Sequence, residues 1–180
     1  MSKFYTGIGD SGDTFVGKKK VSKSDSYTRA VNELDKLNSY LGVILSKDVE
    51  DSIGSILSKV QDDLFVAGAQ VASALDPMYA PKRKLSDSDV KAFEEEIGSY
   101  GAKLPELKNF VLPGGSEIGA MLHYARSLAR SAEIAVVEAS KDYSLDNEIV
   151  RYLNRLSSLL FVMALYSNMK SGKKESNPKY

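Results

Sequence analysis

The 180-residue chain has no cysteine and a single histidine. The first absence excludes disulfides, thiolate metal sites and a cysteine nucleophile, and the second excludes a metal site built from several imidazoles. Excess charge of one sign is also missing, because 24 Lys and Arg offset 24 Asp and Glu. No global basic field is therefore available to hold nucleic acid or an anionic membrane, and neither is expected as a partner. Any polyanion must be held locally. No apolar run reaches the roughly 18 residues of a membrane span, and the opening MSKFYTGIGD lacks the apolar core of a signal peptide, so the expected location is cytoplasmic. The length suits one domain with a sizeable core.

What is present is mostly helical periodicity. Residues 1–24 are rich in Gly, Ser, Asp and Lys without a sustained apolar period and read as an extended loop. Ala30, Leu34, Leu37, Leu41 and Ile44 then place one apolar stripe on a first helix over about 25–47. Ile53, Leu57, Val60, Leu64, Ala67, Val71 and Leu75 carry a second helix until Asp76 and Pro77 stop it. PMYAPKRK reads as a crossing loop. Ser86, with Asp89 three residues on, opens a short charged third helix that ends near Gly101 and is expected outside the main bundle. FVLPGG cannot be helical, but Ser116 and Glu117 open a fourth helix to about residue 141, and a fifth spans about 145–169. The polar tail, 172–180, reads as disordered. The expected fold is all-α, a five-helix bundle with a ferritin-like up-and-down core over 25–171 and an extended N-terminal loop.

Several polar residues stand out against this frame. On the fourth helix His123, Arg126, Arg130 and Glu133 follow steps of three, four and three, and at about 100° per residue they share one face beside the stripe formed by Leu122, Ala125, Leu128 and Ala132. The plain account is a solvated flank with an intrahelical Arg130–Glu133 pair. On the fifth helix Asn147, Arg151, Asn154 and Ser158 line one face. Asn154 is a modest helix former in a helix interior, which suggests a hydrogen-bonding task, either structural or functional. The loop Thr6-Gly7-Ile8-Gly9-Asp10-Ser11-Gly12-Asp13-Thr14, followed by Lys18, Lys19, Lys20 and Lys23, can offer amides, hydroxyls and ammonium groups to a polyphosphate, or be a flexible terminus. Gly12 to Lys18 spells G-x-x-x-x-G-K, but Lys19 follows where Ser or Thr belongs and no strand–helix context is apparent, so a Walker A loop is rejected. Taken alone, His123 reads as a packed residue and Phe110 as a core aromatic closing its loop onto the bundle.

Together these segments resemble the PduO-type ATP:cob(I)alamin adenosyltransferases over nearly the whole chain. The family's loop, roughly YT-x-x-GD-x-G-x-T, is matched by Tyr5, Thr6, Gly9, Asp10, Gly12 and Thr14, and its following lysine by Lys23. LDKLNS, QDDLFVAGA, FVLPGG, LHYAR and YLNRLSSLLF resemble five further family segments in the same order. The resemblance implies a homotrimer with ATP between subunits, bound by the N-terminal loop of one (Thr6, Gly7, Ile8, Gly9, Asp10, Gly12, Thr14 and Lys23) and by Arg130, Glu133 and Asn154 on the helices of its neighbour. It implies an Asp35–Arg126 salt bridge between subunits, with Arg126, Arg130 and Phe110 as the catalytic set. Phe110 would be the apolar wedge that keeps the lower face of cobalt vacant, giving an easily reduced four-coordinate Co(II). The resulting Co(I) would attack the 5′ carbon of ATP, leaving triphosphate with Mg²⁺ and adenosylcobalamin. A cob(II)alamin reductase and a B12-dependent acceptor enzyme are the implied partners, and cobalamin is a substrate. No metal site on the protein itself is expected. A reaction whose nucleophile is the cofactor needs no Ser, Cys or His nucleophile, only positioning and charge balance.

The chain departs from the family pattern at named positions. R-R-x-E-R appears as Arg130-Ser131-Ala132-Glu133-Ile134, with two of its three arginines absent, and Ser11, Asn32, Lys36 and Ser158 replace the commoner Lys, Gly, Glu and Asp. The missing arginines favour weaker phosphate binding and are the support for an alternative, a carrier or regulator that binds ATP or cobalamin without turnover. A di-iron bundle is excluded because Ala120, not Glu, precedes the lone His123 by three residues.

Overall fold

A computed structural model describes residues 4–107 and 109–179; residues 1–3 and 180, the outer ends of the expected loop and tail, and residue 108 lie outside the described set. Five helices carry the fold: α1 (Ser26–Leu45), α2 (Asp51–Ser73), α3 (Asp87–Gly101), α4 (Glu117–Ala139) and α5 (Asn147–Lys170). Side-chain caps set several starts. Asp25 accepts the Tyr27 amide, Ser116 the Gly119 amide and Asp146 the Glu148 amide, while Ser86 and Asp89 form a reciprocal capping box. Short connections make α1/α2 and α4/α5 hairpins, and α1 packs on α4. Leu37, Leu41, Leu57, Leu122, Leu153, Leu156 and Leu160 are fully buried between them, each contributing about 2–3 kcal/mol of apolar burial. Among the described residues only α5 is long and apolar enough by composition to cross a membrane, and most of that stretch is buried inside the bundle.

Three features differ from the sequence expectation. The N-terminal region is not only loop: β1 (Asp13–Val16) and β2 (Lys19–Ser22) form an antiparallel hairpin in which Val16 faces Lys19. Four-residue strands are too short to leave a periodic signal. Gly17, at φ +59°, takes the first place of the two-residue turn, where a positive φ suits the twist of the strands. Its amide donates to the Tyr79 hydroxyl at 3.2 Å, and a Cβ on it would collide with the Asp76 carboxylate. The hairpin is thus docked on the α2–α3 connection, which includes a 3₁₀ turn at Pro77–Tyr79. The strand-turn-strand also accounts for the G-x-x-x-x-G-K spacing without a Walker A loop.

The second difference is α3, which belongs to the core rather than lying outside it. Val90, Phe93 and Tyr100 are buried, with Phe93 against Tyr152 of α5 at 4.7 Å between ring centroids and Tyr100 edge-on to Tyr166 at 4.9 Å. The charged residues that suggested a peripheral helix line its other face, and Gly101 is its last helical residue rather than a terminating one. Third, the tail is tied down. The Leu112 amide donates to the Ser176 carbonyl at 2.7 Å, and Asn177 Nδ2 donates to the Phe110 carbonyl at 2.8 Å, so the tail runs along the FVLPGG segment.

Candidate functional site

The glycine loop closes on itself through turns. The Asp10 amide donates to the Gly7 carbonyl and the Gly12 amide to the Gly9 carbonyl, at 3.2 and 3.3 Å, while the Ile8 amide donates to Thr6 Oγ1 at 3.4 Å. Lys23, one residue past β2, spans the loop: its ammonium donates to the Gly9 carbonyl at 2.6 Å and its amide to the Gly12 carbonyl at 2.9 Å. A cation is thereby held within the concave backbone. Thr6, Gly7, Ile8, Asp10 and Gly12 are exposed, Gly9 and Thr14 half-buried. The loop thus combines a glycine-rich concave backbone with one ammonium group, the composition of an anion cradle.

The helical face is assembled as its spacing implied, with one correction. No ion pair joins Arg130 to Glu133 among the described residues; Asn154 Nδ2 of α5 instead donates to Glu133 Oε1 at 3.1 Å, joining the polar faces of α4 and α5. Arg130 is exposed without a carboxylate partner among the described residues. Arg126 lies half-buried with its guanidinium over the Phe161 ring, 5.4 Å from the centroid. Arg151, on the same face of α5 as Asn154, is already committed, bonded to Glu148 at 2.9 Å and to Asp87 of α3 at 2.8 Å. Two guanidiniums one turn apart, neither with a carboxylate partner among the described residues, make this an anion-seeking surface.

Phe110 is not a core aromatic. It is 80% exposed, because the segment before Pro113 passes outside the helices and is held by backbone and tail contacts instead of by burial. Its ring forms one wall of a cavity of about 830 Å³ whose other walls include Val111, Pro113 and Phe161, with His123 and Arg126 among the polar residues. The single histidine is buried, its ring 5.9 Å from Phe161. Burial lowers its pKa from the usual value, the Arg126 guanidinium lowers it further and Glu175 opposes them. Asp35 lies elsewhere, exposed in a groove of about 520 Å³ with Asn32, Leu64 and Phe65. Within one chain, Asp35 and Arg126 are not paired.

Two residues that organise these parts carry no role in the sequence reasoning. Asn168, wholly buried near the end of α5, accepts from the Ser116 amide and hydroxyl at 2.8 and 2.9 Å and donates to the Gly114 carbonyl at 2.8 Å. It fixes the Pro-Gly-Gly turn, and Gly119 is glycine because any Cβ there would overlap the Asn168 side chain. Like Asn154, Asn168 is an asparagine inside a helix, the residue type that signals a hydrogen-bonding task there. Asp63 interrupts the apolar period of α2: only 1% exposed, it takes Arg83 at 2.7 Å, Lys59 at 2.6 Å and the Tyr152 hydroxyl at 2.8 Å, pinning the crossing loop to α2 and α5. Its signal is a carboxylate at a core position, which only partners can make tolerable.

The family model described as cobalamin adenosyltransferase matches residues 4–167. The chain is 35% identical over 175 residues to a corrinoid adenosyltransferase of Bacillus subtilis, spanning 94% of this chain and 89% of that one. It is 36% identical over 162 residues to the corrinoid adenosyltransferase PduO of Citrobacter freundii, spanning 89% of this chain and 48% of that one. Among solved structures, a phenylalanine-to-alanine variant of a PduO-type ATP:corrinoid adenosyltransferase from Lactobacillus reuteri, complexed with cobalamin and ATP, superposes with a TM-score of 0.90 at 30% identity, covering 99% of this chain and all of that one. An arginine-to-lysine variant from the same organism, complexed with ATP, gives 0.88 at 29% identity, covering 97% and 99%.

Proposed function

The chain belongs to the cobalamin adenosyltransferase family, and on that footing we propose how its own residues carry out the activity, transfer of the 5′-deoxyadenosyl group of ATP to cob(I)alamin with release of triphosphate. The observation that carries the assignment of parts is the joined polar face of α4 and α5, where Asn154 and Glu133 are hydrogen-bonded and Arg130 has no counter-charge among the described residues. Arg130 and the Lys23-braced loop hold the triphosphate, and Glu133 with Asn154 holds the nucleoside end. The corrin ring enters the cavity walled by Phe110 and Phe161, where an apolar ring pressed on the lower face of cobalt excludes water and any fifth ligand there. Co(I) then attacks the ATP 5′ carbon, the C–O bond to the triphosphate breaks, and the electron pair leaves with the triphosphate onto prearranged donors. Mg²⁺ arrives with the phosphates, since this cation is commonly taken up with a polyphosphate.

The active unit is a homotrimer. Supporting this are the unpaired Asp35 and Arg126, on separate cavities of one chain, and Phe65, Tyr124, Ile134 and Val137, large apolar groups that one chain leaves exposed. In the proposed trimer the loop of one copy meets the α4–α5 face of the next. The reaction belongs in the cytoplasm, where a cob(II)alamin reductase supplies the nucleophile and a B12-dependent enzyme accepts the product. The carrier alternative draws on Ile134, 65% exposed, and Ser131, which stand where the family pattern has arginines. Anaerobic mixing with cob(I)alamin, Mg²⁺ and ATP separates the two: decay of the cob(I)alamin spectrum with stoichiometric triphosphate is expected, whereas binding of both ligands without product would establish the carrier.

A further inference from the structure

His123 is 3% exposed and is among the residues that line the cavity. No group among the described residues hydrogen-bonds its imidazole, and Nε2 is enclosed without a partner. A buried polar atom in that condition is uncommon and calls for an explanation beyond packing. The ring could stack on Phe161 as well if it were a phenyl group, so stacking does not account for the nitrogens. With burial and the Arg126 guanidinium both lowering its pKa, the imidazole is neutral near pH 7 and offers one N–H donor and one bare acceptor nitrogen.

The cavity's walls, Phe110, Val111, Pro113 and Phe161, suit a flat conjugated ring, and its polar groups stand at intervals among them. A corrin has such a face, and its rim carries acetamide and propionamide chains. A carboxamide both donates and accepts, so it suits the imidazole in either tautomer, with a small turn of the ring bringing the enclosed Nε2 to the cavity. We propose that His123 is the hydrogen-bond partner of a carboxamide on the rim of the bound corrin and thereby fixes the rotation of the ring in its cavity. The inference rests on the cavity being the corrinoid site. It explains why the face of α4 continues past its two arginines to a buried histidine, which the handling of phosphate does not require.

A chain with one histidine allows a direct test. In tag-free protein labelled with ¹⁵N-histidine, both imidazole nitrogens are read without overlap while diamagnetic cobinamide is added and its visible spectrum followed for binding. The Nδ1 and Nε2 signals are expected to shift in step with cobinamide saturation and to stay in place with ATP alone. Saturation by cobinamide with unmoved nitrogens would overturn the inference and leave the corrinoid site intact; absence of any cobinamide binding would remove the site and the inference together. His123→Phe keeps the ring against Phe161 and removes both nitrogens. It is expected to raise the corrinoid KM about tenfold, as loss of one hydrogen bond to a buried partner would, with the ATP KM unchanged, and His123→Asn should recover part of the loss. An unchanged corrinoid KM in His123→Phe would count against the contact.

Discussion

Arg130 stands exposed on α4 without a carboxylate among the described residues to neutralise it, and the positions where the family pattern adds arginines hold Ser131 and Ile134. On the proposed reading, Arg130 is the one arginine of that pattern left to meet the phosphates. Its loss should be severe: Arg130→Ala is expected to raise the ATP KM at least about tenfold, since a charge-assisted contact to phosphate is worth roughly 1.5–3 kcal/mol. Corrinoid binding should be untouched, and an unchanged ATP KM would take Arg130 out of the nucleotide site. Phe110 makes the complementary case. Because it is 80% exposed, Phe110→Ala leaves little of the core to disturb and should alter thermal stability hardly at all. The expected effect is chemical, loss of the four-coordinate Co(II) signature on binding cob(II)alamin in the presence of ATP, with ATP affinity near that of the unaltered chain. Persistence of that signature would free Phe110 from the mechanism. Helical spacing put Arg126, Arg130 and Glu133 on one face of α4 and Asn154 on a face of α5, because steps of three and four become neighbours; that Asn154 bonds Glu133 across the two helices was not legible from spacing. It misplaced Phe110, because an apolar residue beside a Pro-Gly-Gly turn gives no sign of which side of the chain the core lies on.

Elements held together by periodicity were legible, and those held by single contacts were not. The helices carry apolar residues over several turns, and the Ser86, Asp89 and Ser116 caps mark their starts as the residue types alone suggest. The hairpin and the tail have no such redundancy. One is seated by Gly17 against Asp76 and Tyr79, the other by two hydrogen bonds to the FVLPGG segment, and neither contact leaves a pattern in composition. The hairpin matters because it is the rigid stem of the glycine loop: Lys23 follows directly on β2 and reaches back to Gly9. Gly17→Ala both places a Cβ against Asp76 and holds an L residue at φ +59°, a strain of about 1–2 kcal/mol before the collision is counted. We expect this variant to keep the melting temperature of the helical bundle within a few degrees, to raise the ATP KM about fivefold or more, and to speed amide exchange over residues 6–22. Adding Asp76→Ala should restore part of the ATP affinity by making room. Equal ATP KM values for the Gly17→Ala and unaltered chains would show that the loop is positioned without its stem.

At the scale of the whole molecule, the parts of the proposed site do not close within one chain. Asp35 and Arg126 line different cavities, and apolar side chains on α2 and α4 remain uncovered. If each site takes its loop from one subunit and its α4–α5 face from the next, two defects on opposite sides of the interface should complement. Lys23→Ala damages the loop half and Arg130→Ala the helical half. In a trimer assembled at random from equal amounts of both, a site is intact only when an Arg130→Ala chain supplies the loop and a Lys23→Ala chain supplies the helices. The chance is one half times one half, so about a quarter of the sites recover. Co-expressed variants, assayed at an ATP concentration too low for either alone, should therefore show about a quarter of the unaltered rate, and the same proteins mixed without subunit exchange should show almost none. A site built within one chain gives no recovery under either condition, because every chain then carries its own defect. Absence of complementation in verified mixed trimers would place the nucleotide loop against the helices of its own subunit.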